Sequence, residues 1–175
     1  MTTAHSPGAA PGRAPRAGAD PLVVETPERM RALGARIGAV ARAGDLVVLA
    51  GPLGAGKTVL VQGIAAGLGV RGPVTSPTFV LARVHADGRL PLVHVDAYRL
   101  GGVAEVDDLD LDADTDAALT VVEWGAGRVE QLAQEHLFVE IERPEGDEAG
   151  EARRVRLTAA GPGWAARTPA LRTSD

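Results

Sequence analysis

The feature that most constrains this chain is the stretch from residue 51 to residue 58, which reads GPLGAGKT. It follows the apolar run LVVLA, typical of a buried parallel strand, and precedes the helix-like run VLVQGIAA. The pattern G-x-x-x-x-G-K-[ST] between a strand and a helix is a P-loop, whose backbone N–H groups and helix N-terminus hold phosphate oxygens. The sequence therefore predicts a nucleotide site, with phosphate contacts from Gly51, Leu53, Gly54, Ala55, Gly56, Lys57 and Thr58.

Two side chains of this loop carry its chemistry, and a third residue is expected to join them. In a P-loop the lysine, here Lys57, reaches the β and γ phosphates, and the hydroxyl of Thr58 ligates magnesium. A second buried-looking strand, LTVV, ends at Glu123. P-loop proteins place the acid that holds magnesium, or its waters, at the carboxyl end of such a strand. We therefore expect Glu123 to share the metal with Thr58.

A hydroxyl-rich segment follows the helix after the loop. Its candidates for a switch that orders around the γ-phosphate and magnesium are Thr75, Ser76 and Thr78. Pro77 rules out a helix here and favours an extended Ser76. An ordinary polar turn that enters a strand is the alternative interpretation of these residues.

The next segment predicts a hairpin. Ala86-Asp87-Gly88 is a turn signal between two apolar runs, so the sheet is expected to be mixed, with antiparallel as well as parallel strands. The second run places His94 and Asp96 on one face of a strand. Asp96 is then a candidate for orienting water at the site, or alternatively a carboxylate that caps a turn. The predicted fold class is a three-layer α/β P-loop NTPase fold with a mixed parallel and antiparallel sheet.

Length and composition set the domain organisation. The chain has 175 residues, of which 45% are hydrophobic, enough for one compact domain. We expect a Pro-rich disordered arm at 1–20, the P-loop domain at 21–161 and a tail at 162–175 in which Trp164 is a candidate for docking. No apolar run reaches membrane-spanning length and no signal-peptide core is present, so a cytoplasmic protein is expected. The net charge of −5 argues against direct, sequence-independent binding of nucleic acid.

A P-loop specifies the ligand class and leaves the reaction open. Three interpretations fit the residues: a hydrolase that acts as a timer for a partner complex, a small metabolite kinase, and a nucleotide-bound assembly module. A kinase usually closes a lid with clustered arginines over the phosphates. Arg83, Arg89 and Arg99 are dispersed along the chain, which favours the partner-linked hydrolase.

Four motifs in series resemble a known family. They are the P-loop itself, VTSPTF at residues 74–79, HVDAYRL at residues 94–100 and VEW at residues 122–124. In order, spacing and flanking strands they are similar to the TsaE (YjeE) family, the bacterial ATPases of tRNA threonylcarbamoyladenosine synthesis. The similarity extends from about Leu22 to Leu157.

The resemblance implies a function and partners. ATP is expected in the P-loop, with Mg²⁺ on Thr58 and Glu123, the switch at residues 75–78, and Lys57, Asp96 and Glu123 as catalytic residues. The resemblance also implies TsaB and TsaD as partner subunits, which ATP hydrolysis resets between rounds of transfer to tRNA. The tRNA is then reached only through the complex.

The chain departs from the family pattern at four positions: Pro52, Val59, Val95 and Gly125. Val59 matters most, because the family has a second threonine there, beside the nucleotide. Pro52 removes one backbone donor at the edge of the loop. We expect weaker or slower nucleotide turnover than in members with the usual residues.

Overall fold

The computed structural model describes residues 20–52, 54–75, 82–96, 116–123, 135–144 and 150–173. Within these ranges the chain forms seven strands and three helices. The strands are β1 (Leu22–Val24), β2 (Leu46–Ala50), β3 (Ala82–His85), β4 (Leu92–Asp96), β5 (Leu119–Glu123), β6 (His136–Glu142) and β7 (Arg153–Ala160). The helices are α1 (Pro27–Val40), α2 (Lys57–Leu68) and α3 (Pro162–Leu171).

All seven strands belong to one sheet, in the order β1-β7-β6-β2-β5-β4-β3. The central strands β6, β2, β5 and β4 are parallel to one another. The outer pairs β1–β7, β6–β7 and β3–β4 are antiparallel. The mixed α/β fold predicted from the sequence is therefore confirmed, including the β3–β4 hairpin. Because parallel strands end at the same edge, the carboxyl ends of β2, β4 and β5 meet on one side of the sheet.

The residues at the start of helix α1 explain where it begins. Thr26 caps its N-terminus by accepting a hydrogen bond from Arg29 N at 3.2 Å, and Pro27 occupies the first turn. Its buried face is formed by Met30, Leu33 and Ile37. The distant Arg89 donates to the carbonyls of Gly38 and Ala41 near its C-terminus, which satisfies acceptors that the helix itself leaves open.

Helices α1 and α2 approach each other through glycines. A methyl group built on Gly34 of α1 would lie 2.3 Å from Leu60 O, and one built on Gly63 of α2 would lie 2.2 Å from Arg31 O. Only glycine permits backbones this close. Gly67, near the end of α2, packs against Ala35 of α1 in the same way. The close contact fixes α2 and with it the residues of the P-loop.

The hydrophobic core lies between these two helices and the sheet. Its sheet side consists of alternate strand residues, and its helix side of the buried faces of α1 and α2. The sheet side includes Val47, Leu49, Leu92, Leu119, Val121, Leu137 and Val139. Strands β2, β4 and β5 are buried along almost their whole length, as parallel central strands usually are.

The expectation of a tail from residue 162 is wrong for residues 162–171, which form α3. Two of its side chains, Trp164 and Leu171, are fully buried in the core, so the suggested docking of Trp164 is confirmed. Glu135 accepts a hydrogen bond from Gly163 N at 3.0 Å, in the first turn of the helix. The helix is thus stabilised by contacts from far along the chain, which local sequence does not reveal.

Several predictions fall on residues outside the described ranges. They include the N-terminal arm up to residue 19 and the site residues Leu53, Ser76 and Thr78. In the parts of the chain that are described, no helix is long and apolar enough to cross a bilayer.

Candidate nucleotide-binding site

The loop between β2 and α2 depends on glycine. Gly54 and Gly56 have φ values of +77° and +107°, a region that other residues rarely adopt. Gly51 needs a small residue for another reason, since a methyl group built on it would lie 2.6 Å from the carbonyl oxygen of Ile141. Ala55, within the loop, is almost fully buried. These constraints explain why the spacing of the motif predicted the loop correctly.

The N-terminus of α2 is open toward the loop. Its N-cap is Gly56, which has no side chain to accept from the first backbone N–H groups of the helix. Those N–H groups and the helix dipole favour an anion at this position.

Lys57 is folded over the loop in the structure. Its Nζ donates to the carbonyl oxygens of Gly51 at 2.7 Å and Pro52 at 3.0 Å, and the side chain is buried. Pro52 is accommodated without loss of the turn, because its carbonyl also accepts from Ala55 N at 3.1 Å. The ammonium group is therefore held within the loop, where a phosphate would lie.

Glu123 and Thr58 are brought together across the sheet. Glu123 is the last residue of β5 and pairs in register with Leu49 of β2, one residue before the end of that strand. The Thr58 hydroxyl donates to Glu123 Oε1 at 3.5 Å. Glu123 is 3% exposed, so this carboxylate is well shielded from bulk water. The expected pair of magnesium ligands thus lies at one point of the site.

Asp96 lies directly beside Glu123. The two residues are register partners at the ends of the parallel strands β4 and β5, and both are buried. Their negative charges act on Lys57: burial lowers the pKa of Lys57, and the charges of Glu123 and Asp96 oppose that shift. One buried cation and two buried carboxylates therefore form a single electrostatic cluster.

The oxygen atoms of Thr58 and Glu123 suit a hard cation. Magnesium prefers oxygen ligands, and usually binds one or two protein groups together with substrate phosphates and water. No cluster of three or more His, Cys, Asp or Glu residues with metal-binding geometry occurs in the described ranges. This donor set fits a cation completed by phosphate oxygens, and it does not resemble a closed site made by protein alone.

Thr75 is exposed and follows the buried Val74. The segment is tied to α2 by Gln62 Nε2, which donates to Val74 O at 3.1 Å. Gln62 lies one helical turn beyond Thr58, so Thr75 is connected to the same helix that carries Thr58. The other two hydroxyls of the expected switch, Ser76 and Thr78, lie outside the described residues.

Two residues at the site were missed as site residues by the sequence interpretation. His94 is fully buried, and its Nε2 lies 3.5 Å from Glu123 Oε1. The alternation of β4 did place it on the face of Asp96, which was the available signal. Arg143 follows β6, and its Nη1 would lie 3.8 Å from a methyl group built on Gly54. It is thus a second cationic group near the loop, but nothing in the local sequence marks it.

The strand–loop–helix unit in the middle of a mainly parallel sheet, with an acid at the end of the neighbouring strand, defines the class: an α/β protein with a P-loop-like fold. A family model described as "Threonylcarbamoyl adenosine biosynthesis protein TsaE" matches residues 24–155. The chain belongs to the TsaE family.

Individual relatives agree with this assignment. The chain is 57% identical over 140 residues to the tRNA threonylcarbamoyladenosine biosynthesis protein TsaE of Streptomyces coelicolor, covering 78% of this chain and 94% of the relative. It is 41% identical over 136 residues to the protein of the same name from Bacillus subtilis, covering 77% of this chain and 82% of that protein. Among solved structures it is similar to Bacillus subtilis YdiB, with a TM-score of 0.70 and 32% identity over 86% of this chain and 92% of YdiB.

Proposed function

We propose that this protein binds ATP with Mg²⁺ and hydrolyses it as a cytoplasmic subunit of the machinery that forms threonylcarbamoyladenosine in tRNA. The observation that carries the proposal is the meeting of Thr58 and Glu123, 3.5 Å apart, at the open N-terminus of α2. A hydroxyl and a shielded carboxylate beside a glycine-rich loop at a helix N-terminus suit a magnesium-nucleotide complex. Relatives named for this modification support the biological setting.

The residues of the chain divide the work of hydrolysis. The loop N–H groups and Lys57 bind the phosphates, and Thr58 and Glu123 hold the cation, which when bound neutralises charge on the phosphate oxygens. Asp96, next to Glu123, is positioned to orient the attacking water and accept its proton. Arg143 adds positive charge near Gly54 of the loop. Thr75, with Ser76 and Thr78, forms the segment that senses the γ-phosphate.

The hydrolysis is proposed to reset a complex with the TsaB and TsaD subunits, which carry out transfer to tRNA. The net charge of −5 is consistent with a protein that meets tRNA only through its partners. Slow hydrolysis by the isolated chain is expected, since the switch segment needs a partner to order it.

The metabolite-kinase alternative is less well supported. A kinase lid needs arginines free to close on the phosphates, but Arg89 is engaged at the C-terminus of α1, where it donates to Gly38 O at 2.8 Å and Ala41 O at 3.0 Å. The family and its named relatives also point to tRNA modification.

The direct test is ATP hydrolysis by the purified protein, alone and with its own TsaB and TsaD subunits. We expect the partners to stimulate hydrolysis, and Lys57→Ala and Glu123→Ala each to abolish the stimulated rate. Arg156→Ala, a change on the exposed sheet surface, is the matched control and should leave the rate unchanged. Partner-independent hydrolysis, or phosphate transferred to a small metabolite, would favour the kinase interpretation instead.

A further inference from the structure

A buried histidine lies beneath the two acids of the site. His94 has no exposed side-chain surface, and its Nε2 is 3.5 Å from Glu123 Oε1. It precedes Asp96 by two residues on β4, so both side chains project from the same face of the sheet. In register it pairs with Val121, which precedes Glu123 by two residues on β5. The imidazole ring is therefore one layer deeper in the sheet than the carboxylates.

The ring nitrogens of His94 lack hydrogen-bond partners in the described structure, and Nε2 lies 3.5 Å from Glu123 Oε1. A buried polar group without a hydrogen bond destabilises the fold, and an apolar residue at this core position would avoid that loss. An ordinary N–H···O hydrogen bond has its atoms about 2.9 Å apart, so a shift of roughly 0.6 Å would complete one.

The ring of His94 lies next to one particular oxygen atom of Glu123. Oε1 is the same oxygen of Glu123 that accepts from the Thr58 hydroxyl at 3.5 Å. A carboxylate that holds a metal is usually fixed by a hydrogen bond from a neighbouring group, which sets the direction of its free lone pairs. Nothing about the ring suggests that it binds the metal itself, since magnesium prefers oxygen ligands.

We propose that His94 is a positioning residue, whose Nε2–H holds the carboxylate of Glu123 in the orientation that accepts Mg²⁺. The proposal rests on the proposed function, because it takes Glu123 as a metal ligand. In this arrangement His94 contributes through Glu123 and does not touch the nucleotide. Its contribution is therefore expected in metal affinity, and not in the affinity for nucleotide without metal.

The test measures the affinity of the full chain for Mn²⁺ in the presence of ADP. Mn²⁺ is a spectroscopic substitute for Mg²⁺, and its binding is followed by electron paramagnetic resonance. His94→Leu removes the donor, and His94→Gln restores an N–H near the position of Nε2. Loss of such a supporting group typically weakens metal binding by about 10–100-fold. We expect that loss in His94→Leu, partial recovery in His94→Gln, and unchanged ADP affinity in EDTA for both.

Thr120→Val is the matched control, because Thr120 is also a buried polar residue whose hydroxyl has no partner in the described structure. It lies on β5 and pairs with Val93, which puts it on the opposite face of the sheet from Glu123. The control should keep wild-type Mn²⁺ affinity whatever it does to stability. If Thr120→Val loses as much metal affinity as His94→Leu, the loss is a general effect of disturbing the core. That result would overturn the proposal.

Two other outcomes distinguish a failure of the positioning role of His94 from a failure of the proposed function. If the wild type binds Mn²⁺ with ADP and the Mn²⁺ affinity of His94→Leu is within twofold of the wild-type affinity, the positioning role is wrong while the proposed function stands. If the wild type itself fails to bind Mn²⁺ with ADP, the proposed function fails first.

A measurement on the wild-type protein tests the proposal even if the His94 variants do not fold. With ¹⁵N-labelled histidine rings, the proposal predicts that Mg²⁺ added to the ADP-bound protein shifts the Nε2 resonance of His94. An unchanged resonance would overturn the proposal.

Discussion

At the scale of single residues, the site is an electrostatic compromise centred on Lys57. Burial disfavours its ammonium group, while Glu123 and Asp96 favour it, and the pKa of Lys57 is lowered overall from its ordinary value of 10.5. A bound phosphate would add negative charge and shift that balance back toward the charged form.

This compromise predicts a pH dependence of stability. Because the folded-state pKa of Lys57 lies below 10.5, the unfolded chain binds more protons between the lowered pKa and 10.5. The contribution of Lys57 to the free energy of unfolding should thus rise with pH across that window and level off above it. Urea denaturation of the wild type and Lys57→Met over alkaline pH isolates this contribution, because other titrating groups cancel in the comparison. A difference that stays flat or falls with pH would contradict the assignment.

The residues of the site were predictable to different degrees. Lys57, Thr58 and Glu123 could be placed from sequence because a loop with fixed glycines and a strand-end acid constrain their positions locally. The role of His94 could not, since the strand pattern gives its face but not the distance of its ring from Glu123. Arg143 depends on the pairing of β6 beside β2, which is a long-range property of the sheet.

At the scale of secondary-structure elements, α3 shows what local sequence omits. It contains Gly163 and Pro169, which disfavour a helix interior, and the sequence predicted a tail there. Tertiary contacts compensate. Arg167 pairs with Asp45 at 2.6 Å, donates to Val40 O at 2.9 Å, and lies 4.0 Å from the ring centre of Trp164. The helix is thereby attached to the C-terminal end of α1 and to the turn before β2.

The ion pair of α3 gives a stability prediction. The side chains of Arg167 and Asp45 are only 10% and 12% exposed, so Arg167→Ala removes the cation beside a nearly buried carboxylate and leaves it the hydrogen bond from Arg42 N at 2.7 Å. Such losses cost about 3 kcal/mol or more. The exposed pair Arg156–Glu140, at 45% and 42% exposure, offers the matched control, and Arg156→Ala should cost less than about 1 kcal/mol. Urea unfolding of both variants at pH 7 measures the loss of free energy of unfolding. Equal losses in the two variants would show that the Arg167–Asp45 contact does not anchor α3.

At the scale of the whole molecule, the order of strands is what assembles the site. β2 lies between β6 and β5, and β5 lies between β2 and β4, so the loop, Glu123 and Asp96 reach one edge of the sheet from separate parts of the chain. The sequence predicted most of these elements and the mixed sheet, because periodicity and turn residues are local signals. It did not predict the strand order, which depends on pairing between distant segments.

The measurement that tests the central claim most directly is calorimetric titration of ATP into the protein, with Mg²⁺ and with EDTA. Wild type and Glu123→Gln are compared, with Glu140→Gln as a control on the exposed sheet surface. We predict that Mg²⁺ strengthens ATP binding to the wild type and the control by at least about tenfold, or 1.4 kcal/mol. We also predict that it has little effect on Glu123→Gln, while affinities in EDTA stay similar. A full magnesium effect in Glu123→Gln, or no ATP binding by the wild type, would contradict a magnesium-nucleotide site built on Thr58 and Glu123.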